Sequence, residues 1–309
     1  MKFDLLVDSR HQEIVIALLK DKQLIELHRE PLDKSYAVGD IYLAKAKKIV
    51  PGLNASFVDV GYEKDGFLHY LDLGPKFLTF QDFTQRNINK KISTASLKNF
   101  KLQKEIEKDG KINEVLKSGQ NILVQVTKEP ISTKGPRLTT ELTIAGRYMV
   151  LSPFSEKVSV SQKIGSREER KRLKKLVQSI KPPGFGVIIR TVAQGKMVAD
   201  LDADLKNLYR KWQLIYKQIK LSKVPAKVLG ELGRTASLLR DLLNENFSNI
   251  YVSDKELFSE IQDYIARISP SQEKIVKHYK GKVPLFQKFE VERQIKSSFG
   301  KSVTMRNST

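Results

Sequence analysis

Residues 3–30 read as a three-stranded meander with an apolar face and nothing directly after it to cover that face. Phe3-Asp4-Leu5-Leu6-Val7 is one short apolar run and Glu13 to Leu19 a second; Asp21-Lys22 then offers a tight turn into Gln23-Leu24-Ile25-Glu26-Leu27-His28. An apolar sheet face has to be buried against another layer, so the partner of this meander must come from elsewhere in the chain. The pattern suited to that task begins at about Ala236: a helix over 234–244, a strand at Ile250-Tyr251-Val252, and a helix over 254–268. The two ends of the chain thus predict one domain with the middle inserted into it. The fold class that follows is α+β and multi-domain, with 309 residues shared among two or three packed units.

The insertion opens at Gly39. Asp40 to Val50 is a long lysine-bearing strand, Pro51-Gly52 a turn, and Ala55 to Gly61 and Gly66 to Tyr70 two further strands. After a gap come Asn121 to Thr127 and Leu138 to Ile144. Five short strands with glycine-punctuated turns predict a small β-barrel of the OB type. The gap, residues 73–117, is polar and weakly periodic; it is expected to be a mobile insertion with one short helix near Leu102–Glu107. From Arg86 to Lys117 it holds nine Lys/Arg against four Asp/Glu, which suits a solvated linker and an RNA-clamping loop equally. Farther on, Tyr148–Pro153 reads as a strand. Ser166-Arg167-Glu168-Glu169 fits a capping box opening a helix to Ile180, and Pro182-Pro183-Gly184 stops it. Val187 to Thr191 is a buried strand, Leu201 to Lys220 a long helix carrying the sole Trp212, and Pro225 its exit.

Fifty-five Lys and Arg face 35 Asp and Glu, a formal charge of +20. A globular chain this basic needs an anionic partner, and polyphosphate is the commonest. No run of 18 apolar residues is present, so no membrane partner is expected. Met1-Lys2-Phe3-Asp4 leads straight into strand-like sequence, so no signal segment is expected and the location is read as cytoplasmic. Cysteine is absent, which removes disulfides, thiolate metal sites and cysteine nucleophiles together, and His11, His28, His69 and His278 lack ligand spacing.

Phe57 and Phe67 stand ten residues apart on adjacent strands, with Asp59, Gly61, Lys64 and Gly66 around them. Alternation places Phe57 and Asp59 on one face and Val58 and Val60 on the other. The valines make the better core, so Phe57 should face outward as a stacking platform for unpaired bases, with lysines drawing in the backbone. Lys45, Lys47, Lys48 and Lys134 are expected along the same groove. The competing reading has both rings inside the barrel. Arg190-Thr191, at the end of a buried strand, pairs a guanidinium fork with a hydroxyl and suits a terminal phosphate; strand-end arginines more often make structural ion pairs. Asp8, Asp241 and Asp254 are candidates for a metal-binding nuclease cluster, against their commoner use as turn and cap residues.

Asn54-Ala55-Ser56-Phe57-Val58-Asp59-Val60-Gly61, running to Gly66-Phe67-Leu68-His69, resembles the most characteristic stretch of the ribonuclease E/G family. Leu138-Thr139-Thr140 with Gly146-Arg147-Tyr148-Met149-Val150, then Val187 to Thr191, then Tyr279 to Phe286, are similar in the same order. The resemblance implies a split RNase H-like subdomain (1–37 and 236–298). Between its parts it implies a barrel of the ribosomal S-one type (38–140) and a small α+β 5′-sensor subdomain (141–235). It implies that Phe57, Phe67 and Lys134 contact single-stranded RNA, and that Gly146, Val150, Arg190 and Thr191 hold a 5′-monophosphate. The RNase H-like unit of the family is structural and lacks nuclease carboxylates. Cutting belongs to a magnesium-dependent DNase I-like domain that would start near Phe299, so residues 299–309 are expected to be its stub and the chain itself inactive. Homo-oligomers are expected only of the full-length protein. The alternative is a stand-alone RNA-binding adaptor, and a third reading is an RNase H-type nuclease in its own right.

Overall fold

The computed structural model describes residues 2–31, 36–230, 233–243 and 246–298. The expected stub at 299–309 lies outside them. The chain forms two compact units, Met1–Ser35 with Leu232–Thr309, and Tyr36–Glu231.

In the first unit the meander is the heart of a five-stranded sheet. Its order is Val276–His278, Phe247–Val252, Phe3–Ser9, Glu13–Lys20, Gln23–Pro31. The first three strands run parallel and the last three form antiparallel pairs. Asp21 and Lys22 take positive φ (48° and 67°), the turn whose twist matches the hairpin it joins. Leu5-Leu6-Val7 is apolar throughout because both sheet faces are covered. Leu5 and Val7 pack with Ile250, Val252 and Ile261 and Ile265 of the helix Lys255–Ile268. Leu6, Val15 and Leu19 pack with Leu285, Phe286 and Val291 of the two short helices Leu285–Lys288 and Val291–Ser298.

In the second unit, Ile41–Val50, Ala55–Asp59, Gly66–His69, Arg137–Thr139 and Asn121–Lys128 form a sheet that closes on itself, because Asn121–Lys128 pairs back onto Ile41–Val50. This is a closed five-stranded barrel, consistent with the OB type; Ala226–Leu229 adds to Ile41–Val50 from outside. A second sheet of four strands, in the order Val158–Val160, Phe185–Ile189, Met149–Pro153, Ile144–Ala145, lies against the helices Arg167–Ile180 and Val198–Leu221. Trp212 is fully buried, stacks on Phe83 at 5.1 Å and donates its indole N–H to the Ala95 carbonyl.

Two expectations are corrected. Residues 102–107 are not helical; the helices of the 73–117 segment are Phe77–Ile88 and Ile112–Val115. Phe77, Phe80, Phe83, Thr84 and Asn87 are buried at helical spacing, a stripe that the polar composition of the segment conceals. The stretch after it is extended but anchored, with Gln103 donating its amide to Thr79 Oγ1 and Ile106 its own to the Pro75 carbonyl. The capping box at Ser166 is only half made. Ser166 Oγ accepts the Glu169 amide at 3.1 Å, but the Glu169 carboxylate turns to Arg172 and the Gly195 amide, which hold its pKa down at about 2.

Because Phe83 joins the helix Phe77–Ile88 to Trp212, Phe83→Ala should destabilise the chain by about 3–5 kcal/mol in urea unfolding. A change within about 0.5 kcal/mol, as at a surface site, would make the segment a dispensable insertion.

Candidate RNA-binding surface

Barrel closure decides where each side chain on its strands points. Val58, Val60 and Leu68 are buried inside, and Phe57 and Phe67 stand half-buried on the outer face. The two phenylalanines are direct cross-strand partners, with ring centroids 6.0 Å apart at 68°. Phe67 also hydrogen-bonds through its amide to the Pro136 carbonyl and pairs with Arg137. This brings the loop before Arg137 alongside the rings.

The result is a groove of about 650 Å³ lined by Phe57, Lys64, Asp65, Phe67, Thr133, Lys134, Gly135 and Arg137. Lys134 is exposed and set by paired backbone bonds with Ile131. Lys64 reaches across to the Ser132 carbonyl at 2.8 Å, and Arg137 is forked onto Asp72. A Cβ on Gly135 would lie 2.1 Å from the Asp65 carbonyl oxygen, so the loop closes on the turn only because that residue is glycine. The other expected lysines stand outside the groove wall. A bulge between Ala46 and Lys48 turns both Lys47 and Lys48 to solvent. Lys48 lies across from Phe57 and Lys45 across from Asp59, whereas Lys47 is bonded to Asp65 at 2.8 Å, which raises its pKa.

A second cluster forms at one end of the four-stranded sheet, where the chain brings Gly146, Val150, Arg190 and Thr191 together. Arg190 donates Nη1 to the Gly146 carbonyl at 2.9 Å and its amide to the Tyr148 carbonyl at 2.8 Å. Val150 pairs with Ile188 and Ala145. Thr191 is exposed, and its hydroxyl meets that of Ser161 at 3.0 Å. Around them lie Arg147 and Lys196, both over the Tyr148 ring at 5.5 and 5.9 Å. The sequence reading missed Asp204, which accepts the amides of Arg147, Tyr148 and Met149. The signal for it was present: Asp204 lies on the same helix face as Leu201, Leu205 and Leu208, and an acid on an apolar stripe requires a partner.

The three candidate metal-binding aspartates have structural uses instead. Asp8 pairs with Arg10, Asp241 with Arg240, and Asp254 caps the helix Lys255–Ile268 by accepting the Leu257 amide. Among the described residues no three His, Asp or Glu side chains gather as metal ligands. No helix among them is long and apolar enough to cross a membrane.

A family model described as "Ribonuclease E/G family" matches residues 143–309. The chain belongs to this family. It is 32% identical over 304 residues to Ribonuclease G of Haemophilus influenzae, covering 98% of this chain and 58% of that protein. It is 31% identical over 307 residues to Ribonuclease G of Escherichia coli, covering 99% of this chain and 59% of the relative. Ribonuclease E of a Nostoc species is 30% identical over 302 residues, 96% of this chain and 39% of the relative. The chain therefore spans less than two thirds of the length of these relatives. The groove and the cluster around Arg190 thus lie in a chain whose relatives are named ribonucleases.

Gly135→Ala should push the loop off the turn and lower stability by about 1–3 kcal/mol, as overpacking against backbone does. Amide NMR shifts should concentrate at residues 61–66 and 129–136. Shifts spread evenly over the chain, or none, would contradict this packing.

Proposed function

We propose that this chain recruits and orients single-stranded RNA for a magnesium-dependent endoribonuclease of RNA processing and decay. Bases stack on Phe57 and Phe67, Lys134 meets the backbone, and Gly146, Val150, Arg190 and Thr191 hold a 5′-terminal monophosphate. In this reading the barrel is of the ribosomal S-one type and residues 141–235 form a 5′ sensor. The unit built from the chain ends is a structural RNase H-like subdomain, a reading supported by its sheet of parallel and antiparallel strands covered on both faces. The setting in this reading is cytoplasmic. Asp8, Asp241 and Asp254 are each held by other groups, so no hydrolytic step is assigned to them.

One observation carries the reading: two cross-strand aromatic rings stand on the outside of a closed barrel, in a groove that also holds Lys64 and Lys134. Buried rings would fill the barrel, whereas rings left half-exposed in a basic groove offer π faces to any unpaired base. Each stacked base contributes about 1–3 kcal/mol and needs no particular sequence. Lysine contacts add affinity that falls with salt. The division of labour is therefore separable by experiment.

Phe57→Ala should weaken binding of a short single-stranded RNA by about 1–3 kcal/mol without changing its salt slope. Lys134→Ala should instead reduce the magnitude of the slope by about 0.7, the share of one phosphate on a single strand. Salt-titrated fluorescence anisotropy measures both. Unchanged affinity in a folded Phe57→Ala protein would refute the stacking role.

A further inference from the structure

The turn from Gly146 to Met149 is held by a carboxylate that no part of the RNA-binding reading uses. The amides of Arg147, Tyr148 and Met149, three in succession, converge on Asp204 at 3.1, 2.9 and 3.0 Å. Successive N–H groups aimed at one point form an anion-binding nest, and here the chain supplies its own anion. Asp204 projects from the helix Val198–Leu221 on the face that buries Leu201, Leu205 and Leu208. Gly146 makes the approach possible, since a Cβ there would lie 2.7 Å from Asp204 Oδ2. The glycine's close contact with an anion is therefore made to this internal carboxylate.

The same turn fixes Arg190. The Gly146 carbonyl accepts Arg190 Nη1 and the Tyr148 carbonyl accepts the Arg190 amide. Peptide planes that give their N–H to Asp204 on one side present their C=O to Arg190 on the other. We infer that Asp204 is a positioning residue for the 5′-phosphate pocket, acting through the Gly146–Met149 turn to set the direction of the Arg190 guanidinium. The inference rests on the reading of that pocket given above.

Energetics argue that this acid is held in place for a reason other than packing. Burial pushes the Asp204 carboxyl above its usual range, and the three amides and Lys211 only partly offset it. A leucine would pack on this stripe without that desolvation, but would leave three amides unsatisfied. Asparagine is no substitute. Arg147 bonds Oδ1 while Tyr148 and Met149 share Oδ2, so either orientation of an amide side chain leaves at least one N–H facing a donor.

The test measures the affinity ratio of one short single-stranded RNA carrying a 5′-monophosphate or a 5′-hydroxyl, at constant ionic strength. Wild type should prefer the monophosphate by about fivefold, the net contribution of about one hydrogen bond to the phosphate, and Arg190→Gln should abolish the preference. Asp204→Ala should bring the ratio to about one, and added formate, which fits a nest vacated by a carboxylate, should restore it where chloride does not. No preference in wild type, or one kept by Arg190→Gln, overturns the pocket reading itself. A preference intact in Asp204→Ala, with wild type and Arg190→Gln as expected, overturns the role of Asp204 alone. So does a loss that formate fails to restore, which would assign Asp204 to general packing. If Asp204→Ala does not fold, Asp204→Asn replaces it: a reduced ratio supports the role and an unchanged ratio overturns it.

Discussion

The ladder between Ile41–Val50 and Asn121–Lys128, running from Ile41 opposite Gln125 to Lys45 opposite Asn121, closes the barrel. Without it the sheet would have two open edges and no defined inside. With it, alternation becomes a commitment at every position. Tyr42, Ala44, Val124 and Val126 fill the interior, while Ile41, Leu43 and Leu123 face the other way and join the cluster around Trp212. One flank of the barrel is thereby covered by the helical layer. The flank bearing Phe57 and Phe67 is not, and its half-buried rings are a consequence of closure and not of local preference.

The two proposed contacts with RNA rest on different physics. Along the groove, the rings offer π surface that is indifferent to sequence, and the exposed Lys134 adds charge that salt screens. At the end of the four-stranded sheet the partly buried Arg190 gives its Nη1 to the Gly146 carbonyl and its main-chain amide to the Tyr148 carbonyl, so its geometry is set before a ligand arrives. A mobile cation would meet phosphate anywhere; a fixed guanidinium meets it in one orientation. In the proposed reading, affinity and end recognition belong to separate places within one unit.

Much of this was legible in the sequence because it depends on pattern. Val58 and Val60, which follow Phe57, show which face of the strand is core, and the uncovered apolar meander demands a distant partner. The helix Phe77–Ile88 was missed because its buried stripe of Phe77, Phe80, Phe83, Thr84 and Asn87 includes polar residues, and hydroxyl and amide groups hide an amphipathic period. The half-made cap at Ser166 shows a different limit. Glu169 has the right spacing for a capping box, but its reach to Arg172 and the Gly195 amide is tertiary and leaves no local trace. Lys47 was counted with the groove lysines because pairing with Asp65 depends on a bulge. For Asp204 the need for a partner is legible from its place on an apolar stripe, but the partners themselves are not, since all three lie more than fifty residues away in sequence.

If unpaired bases lie on Phe57 and Phe67, RNA must touch the protein there. Single-stranded RNA containing 4-thiouridine, bound to the full chain at low salt and photo-crosslinked, can be mapped by mass spectrometry of the digested adduct. The dominant crosslinks should fall on Phe57 and Phe67 and on the loop carrying Lys134. Crosslinks confined to other surfaces, such as the exposed lysines of the helix Arg167–Ile180, would contradict this placement of the bases.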